Sequence, residues 1–321
     1  VLFCVFTSIA AFGIGNMVQA NSISTLAQET LGAPLWVTGI FVTAITAIVI
    51  LGGVQSIARV CTLLVPFMAF FYILGCLIIL FINRAVMVDT LVLIGQSAFS
   101  PQAAGGGFIG ASVMMAARYG IARGLFSNEA GLGSAPIVAA AAKTNNPVKQ
   151  ALVSATGTFW DTVVVCAITG LVLVSTIMRF PDDFGSINGA VMTKRAFAEI
   201  PVVGPIILTV GLLTFVYSTI LGWSYYGERS VEYLFGKRSI TPYRVLWVGA
   251  VMVGSVVSLP LVWDMADMMN MLMAIPNLIA LILLNGVIIA ETRKYLWDGS
   301  IHDVAADSHD YAPDRTGTKT E

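Results

Sequence analysis

Gly105, Gly106 and Gly107 stand side by side in the stretch SPQAAGGGFIGASVMMAARYGIARG, and Phe108 follows them. Each glycine costs a helix interior about 1 kcal/mol relative to alanine. A triplet therefore frees backbone N–H and C=O groups, which are tolerated at membrane depth only against protein or a watery cavity. Either the helix breaks there and offers its backbone to a ligand, as discontinuous membrane helices do, or the small residues let two helices approach closely. Asn16 and Gln19, in AFGIGNMVQANS, lie three apart, which puts both on one helix face. Amides are costly in lipid unless paired, so that face looks into a bundle, to line a pocket or to bond a neighbouring helix. Ser218 and Thr219 are adjacent hydroxyls in TFVYSTILGWSYYGE, with Thr214 one turn upstream. A hard cation such as sodium takes several oxygen ligands, whereas serine and threonine in helices also bond back to their own carbonyls. Asp161, in ATGTFWDTVVVC, is the one acid within an apolar span. Such an acid binds a cation, carries a proton or pairs with a basic residue.

Other chemistry is excluded by what the spans lack. An intramembrane enzyme needs paired carboxylates, a Ser/His pair or a His/Glu metal set, and the spans hold one acid and no histidine. The linker GLFSNEAGLGSAPIVAAAAKTNN contains no phosphate loop, because GLGSAP lacks the Gly-Lys-Ser or Gly-Lys-Thr ending. Its Ser127-Asn128-Glu129 run suits a helix N-terminus and predicts a short helix from about 134 to 143. Cys4, Cys61, Cys76 and Cys166 fall in apolar runs without metal-ligand spacing and read as buried, inert thiols. His302 and His309 sit in a polar tail with no ligand cluster beside them. Trp223, Tyr225 and Tyr226 near a span end suit interfacial anchoring.

These residues need elements to position them, and the composition says which kind. The chain is 57% apolar and 11% charged, against about 25% charged in soluble domains. Runs near the roughly 20 residues that cross a bilayer explain the deficit. Eight spans are expected, at about 1–20, 36–54, 59–83, 105–125, 150–178, 203–225, 243–263 and 269–290. Residues 1–295 form one membrane domain, and 296–321 read as a disordered tail. The formal net charge of −1 offers no basic surface to nucleic acid. Residue 1 is Val1, inside an apolar run without a basic signal-peptide start, so the chain reads as N-terminally truncated within a membrane helix. With the first helix running outwards, the inside segments hold thirteen Lys and Arg and the outside segments four, namely Arg84, Arg179, Lys194 and Arg195. That bias puts the C-terminus in the cytoplasm. A channel would repeat a pore element around a symmetric oligomer, which a single broken helix fits less well.

The segments AAFGIGNMVQANS, FSPQAAGGGF, RYGIARGLFSNEAGLGSAP and TILGWSYYGE resemble the symporters that take up alanine or glycine with sodium. The likeness runs from residue 1 to about 295. It implies an all-α, polytopic, leucine-transporter-type fold of two inverted five-helix repeats, here with core helices three to ten. It implies alternating access in the cell's inner (plasma) membrane, with a small neutral amino acid and sodium as partners and no cofactor. The Gly triplet then falls at broken helix six. The matched motifs imply substrate contacts from Asn16, Gln19, Gly105, Gly106, Gly107, Phe108 and Trp223, and sodium ligands from Ser218 and Thr219. Proton coupling through Asp161 is the alternative. Oligomeric state stays open.

The charge bias makes a direct prediction. A cysteine at Ser186 should label with an impermeant reagent from outside the cell, and one at Ser239 should not. The reverse pattern would invert the topology.

Overall fold

The computed structural model describes residues 1–99, 124, 127–181, 190–257 and 259–297. Every described element is helical. In chain order they are α1 (Leu2–Leu31), α2 (Leu35–Leu51), α3 (Gly53–Ile82), α4 (Met87–Phe99), the short α5 (Ala135–Ala139), α6 (Pro147–Arg179), α7 (Ala190–Phe197), α8 (Val203–Phe235), α9 (Ile240–Val256), α10 (Leu259–Leu283) and α11 (Asn285–Thr292). By length and composition α1, α3, α6, α8 and the stretch Lys237–Val256 can each cross a membrane. The pair Asp267–Leu283 and Asn285–Trp297, bent by 58° at its break, forms either a sixth, broken span or a re-entrant loop, and α2 is a shorter apolar helix of 17 residues. The chain is thus a helical, multi-pass membrane protein. Helices stand at seven of the eight expected spans; the fourth, at 105–125, lies almost wholly outside the described residues.

Several boundaries differ from the sequence expectation, each for a local reason. α1 continues beyond residue 20 because its polar second half faces protein, with Asn21 and Ser24 buried. It stops at Gly32, whose φ of 67° is left-handed and whose N–H caps the Gln28 carbonyl. α8 runs ten residues past its expected end, since Glu228 is buried and paired, and it stops at Gly236 with φ 78°. α9 ends at Val256 rather than 263. The linker helix spans five residues instead of about ten. Asn146 then starts α6, its side-chain oxygen accepting from the N–H groups of Val148 and Lys149, with Pro147 in the first turn. α4 was not anticipated.

α8 is the central element. One buried cluster joins its Ile220, Leu221 and Trp223 to Ala10, Ala11 and Ile14 of α1, Val42, Val49 and Ile50 of α2, and Tyr243, Trp247 and Val251 of α9. A second joins its Leu208 to Tyr72, Cys76 and Ile79 of α3, Val172 of α6 and Phe197 of α7. Large apolar side chains such as Phe41, Leu63, Phe70 and Phe81 point outwards, as a lipid-facing surface requires. Of the four cysteines expected to be buried, Cys76 is; Cys4 and Cys61 are half-buried and Cys166 is exposed.

Three stretches wind as π-helix: Ala11–Met17 in α1, Phe159–Cys166 in α6 and Arg293–Trp297 after α11. Such turns are uncommon and often mark functional positions. Two of the three contain residues singled out above, Asn16 and Asp161.

At one end of α8, Glu228 is 2% exposed and accepts a bidentate pair from Arg244 of α9, at 2.7 and 3.0 Å. Arg229 adds a third bond at 3.0 Å. Removing one member of a buried pair costs about 3–5 kcal/mol, because the other charge is left stranded. Arg244→Met should therefore lower the thermal midpoint of the purified protein sharply. The double variant Glu228→Gln/Arg244→Met should recover much of the loss. A single variant as stable as the parent would show that the pair does not hold α8 to α9.

Candidate functional site

The π-turn of α1 meets α8 and α9 at close range. A Cβ added to Gly15 would collide with the Cβ and ring of Trp223. A Cβ on Gly254 of α9 would lie 2.5 Å from Met17 Cα. Phe12 packs on Tyr243 and Trp247 with ring centroids 5.1 and 5.3 Å apart. Small residues at a crossing let backbones approach, which is how helices in lipid gain contact energy.

Asn16 sits at this crossing and is fully buried. Its Nδ2 donates to the Trp247 carbonyl at 2.8 Å. That bond fixes the amide. Among the described residues Oδ1 has no hydrogen-bond partner. A buried acceptor left bare costs about 1–3 kcal/mol, so this oxygen is suited to accept a hydrogen bond from a further donor. Gln19 behaves differently. Its Nε2 reaches back to the Ile14 carbonyl at 3.0 Å, across the π-turn. Three-residue spacing thus does not give these two amides a common partner here, because the helix changes its winding at Val18.

Trp223 is buried against Gly15 and stacks edge-on to Tyr226 at 5.3 Å. It packs inside the bundle rather than serving as an interfacial anchor. Thr219 lies four residues before Trp223, on the same face of α8. Ser218 and Thr219 both donate to the Phe215 carbonyl, at 2.8 and 3.0 Å. Each back-bond uses the hydroxyl proton and leaves oxygen lone pairs for another partner. Ser218 also lies 4.0 Å from Met68 Sδ on α3. Thr214 back-bonds to Val210 and Gly211.

The structure thus brings Asn16, Trp223 and the Thr219 face of α8 to one crossing. Asp161 belongs elsewhere, in the π-turn of α6, where its Oδ2 accepts from Ser127 Oγ at 2.6 Å. Gly105, Gly106, Gly107 and Phe108 lie outside the described residues, as do His302 and His309. Among the described residues no group of three or more His, Cys, Asp or Glu side chains gathers to hold a metal. A cavity of about 510 Å³ opens beside α1, lined by Ile9, Phe12, Gly13, Met17, Tyr243 and Met269 among others. Its walls are almost wholly apolar and Asn16 does not line it, so it is poorly matched to a charged ligand.

Several polar residues were missed by the sequence reading. Asn21 caps the end of α9 by donating to the Gly254 and Val257 carbonyls, at 3.1 and 2.6 Å. Glu199, 4% exposed, accepts from Thr176 at 2.6 Å, Asn83 at 3.1 Å and Arg179 at 3.2 Å, which ties α3, α6 and the segment after α7 together. The signal was present in part, since Asn83 and Arg179 stand at span ends, but only the fold shows that one carboxylate serves both.

A model of the sodium:alanine symporter family matches residues 1–304. The chain is 49% identical over 295 residues to the sodium/alanine symporter AgcS of Methanococcus maripaludis, covering 92% of this chain and 64% of that protein. It is 33% identical over 298 residues to the probable sodium/glutamine symporter GlnT of Bacillus subtilis, covering 92% and 60%. It is 33% identical over 299 residues to the putative sodium/proton-dependent alanine carrier protein YrbD of Bacillus subtilis, covering 88% and 61%. The chain therefore spans less than two thirds of the length of these relatives.

The crossing makes its own prediction. Gly15→Ala should destabilise the protein by about 1–3 kcal/mol, the usual effect of overpacking. Trp223→Gly should relieve the loss and Trp223→Ala should not, because the Trp223 Cβ itself stands in the way. Equal rescue by both, read from thermal unfolding, would show that the contact is softer than the geometry says.

Proposed function

This chain belongs to the sodium:alanine symporter family, and we propose that its protein carries a small neutral amino acid, alanine or glycine, into the cell together with sodium. The family's members are transporters, not enzymes, and the chemistry required is binding and release rather than bond-making. The observation that carries the reading is the bare, buried Oδ1 of Asn16. An amino acid's ammonium is a donor suited to it, and Asn16 is held rigidly for that role by the Trp247 carbonyl.

The remaining assignments follow the family resemblance. The freed backbone around Gly105, Gly106 and Gly107 would meet the substrate's carboxylate, since a half-helix N-terminus favours an anion. Phe108 and Trp223 would bound the side-chain space, and Gln19 would lie beside the pocket. A single methyl group fits such a space better than an isobutyl group, so leucine should compete poorly. Ser218 and Thr219 would give sodium two of its oxygens, which their back-bonding leaves free to coordinate. The scaffold would be a leucine-transporter-type pair of inverted repeats working by alternating access, with core helices three to ten in this chain and the C-terminus in the cytoplasm.

A second reading couples transport to protons through Asp161, whose described partner is a hydroxyl and not a cation. The two readings separate by mutation in the full-length protein. Thr219→Ala should raise the sodium concentration that half-saturates alanine uptake, while Asp161→Asn should leave sodium dependence in place. Unchanged sodium dependence in Thr219→Ala, or proton-driven uptake abolished by Asp161→Asn, would favour the second reading.

A further inference from the structure

The segment 127–134 touches four helices. On α6, Ser127 Oγ donates to Asp161 Oδ2 at 2.6 Å and Asn128 Nδ2 to Thr162 Oγ1 at 2.7 Å. On α10, Asn277 Nδ2 donates to the Gly131 carbonyl at 2.9 Å. A Cβ on Gly133 would lie 2.7 Å from Asn277 and 2.8 Å from Phe3 of α1. Gly131 and Gly133 have φ of 76° and 86°, so the close seating depends on glycine. Tyr226 of α8 bonds to the Glu129 carboxyl.

Glu129 is the unusual member. Its φ is 51°, left-handed for a residue with a side chain. Its carboxyl is largely buried and accepts from Ser134 Oγ at 2.7 Å. Its described partners are thus two hydroxyls, neither of which carries a countercharge. Tyr226 is the titratable group facing it from α8. Arg229, the next basic residue on α8, is committed to Glu228 and Glu232, at 3.0 and 2.5 Å. α10 presents the uncharged Asn277, α1 presents Phe3 with Cys4 beside it in sequence, and α6 presents Asp161, already held by Ser127.

We propose that residues 127–134 form a latch that pins the first turn of α1 to the middle of α6 and to the flanks of α8 and α10, closed when Glu129 is protonated and released when it ionises. The inference rests on the transport reading, in which these helices must part to discharge substrate. A buried carboxylate without a cation is costly. Release returns the group to water and relaxes the left-handed backbone. The proton passes between the Glu129 carboxyl and cytoplasmic water, so no other reactant is needed.

The sign follows from the environment. Burial raises the docked carboxyl above the ordinary carboxylate range, and its hydroxyl partners offset this only in part. The docked state therefore binds its proton more tightly than the released state. Docking is favoured fully below the ordinary carboxylate range and is lost as pH rises through the raised value.

Spin labels on Ala130→Cys and Lys237→Cys in the full-length protein, with native cysteines replaced, read the latch without reference to any substrate. The expected result is a single short distance at pH within the ordinary carboxylate range and a second, longer population that grows as pH rises above that range. Glu129→Gln should hold the short distance throughout, and Glu129→Asp should keep a pH-dependent opening. A distribution that ignores pH in the parent, or that opens equally in Glu129→Gln, would overturn the proposal. Because the readout does not depend on alanine or sodium, its failure is distinct from failure of the symport reading.

Discussion

The structure depends on how closely three helices approach without side chains between them. Gly15 of α1 lies against Trp223 of α8, Gly227 of α8 against the Tyr243 hydroxyl of α9, and Gly254 of α9 against Met17 of α1. In lipid there is no hydrophobic drive to push helices together, so contact area and interhelical hydrogen bonds must do so. Glycines supply the area by letting backbones touch. They weaken each helix locally, and in return they bring carbonyls within reach of side-chain amides.

Side-chain amides bridge this packed crossing. Asn16 and Asn21 both donate from α1 to carbonyls of α9. Asn21 spends its Nδ2 on the end of a helix, where carbonyls would otherwise lack partners. Asn16 donates to a mid-helix carbonyl, and among the described residues its oxygen has no partner. Asn16 makes this bond from within the π-wound stretch Ala11–Met17. Two carboxylates, Glu228 with Arg244 and Glu199 with the exposed Arg179, tie the flanking helices together.

The helical, multi-pass architecture was legible because apolar runs of bilayer length leave few alternatives. Asn16 was legible for the same reason, as an amide inside such a run. Its partner was not, since the Trp247 carbonyl is 231 residues away and any backbone carbonyl looks alike in sequence. Trp223 stood near an expected span end, where the residue type suited an interfacial anchor and the family resemblance implied a pocket wall; α8 continues to Phe235 and leaves it buried. The same early ending hid Glu228, whose charge lowered the local hydropathy although Arg244 neutralises it. Glycines 15, 227 and 254 carried no signal alone, because an isolated glycine in a helix reads as a weak helix former until its neighbour is known. The glycine triplet and Phe108 were the plainest motif in the sequence, but they fall outside the described residues.

The central claim is that a sodium gradient drives a small neutral amino acid into the cell. Reconstitution of the full-length protein in liposomes, with radiolabelled alanine outside and an imposed inward sodium gradient, tests it most directly. The account predicts accumulation above the external concentration, lost when a sodium ionophore collapses the gradient and absent when potassium replaces sodium. Accumulation driven by a proton gradient in sodium-free buffer would contradict it.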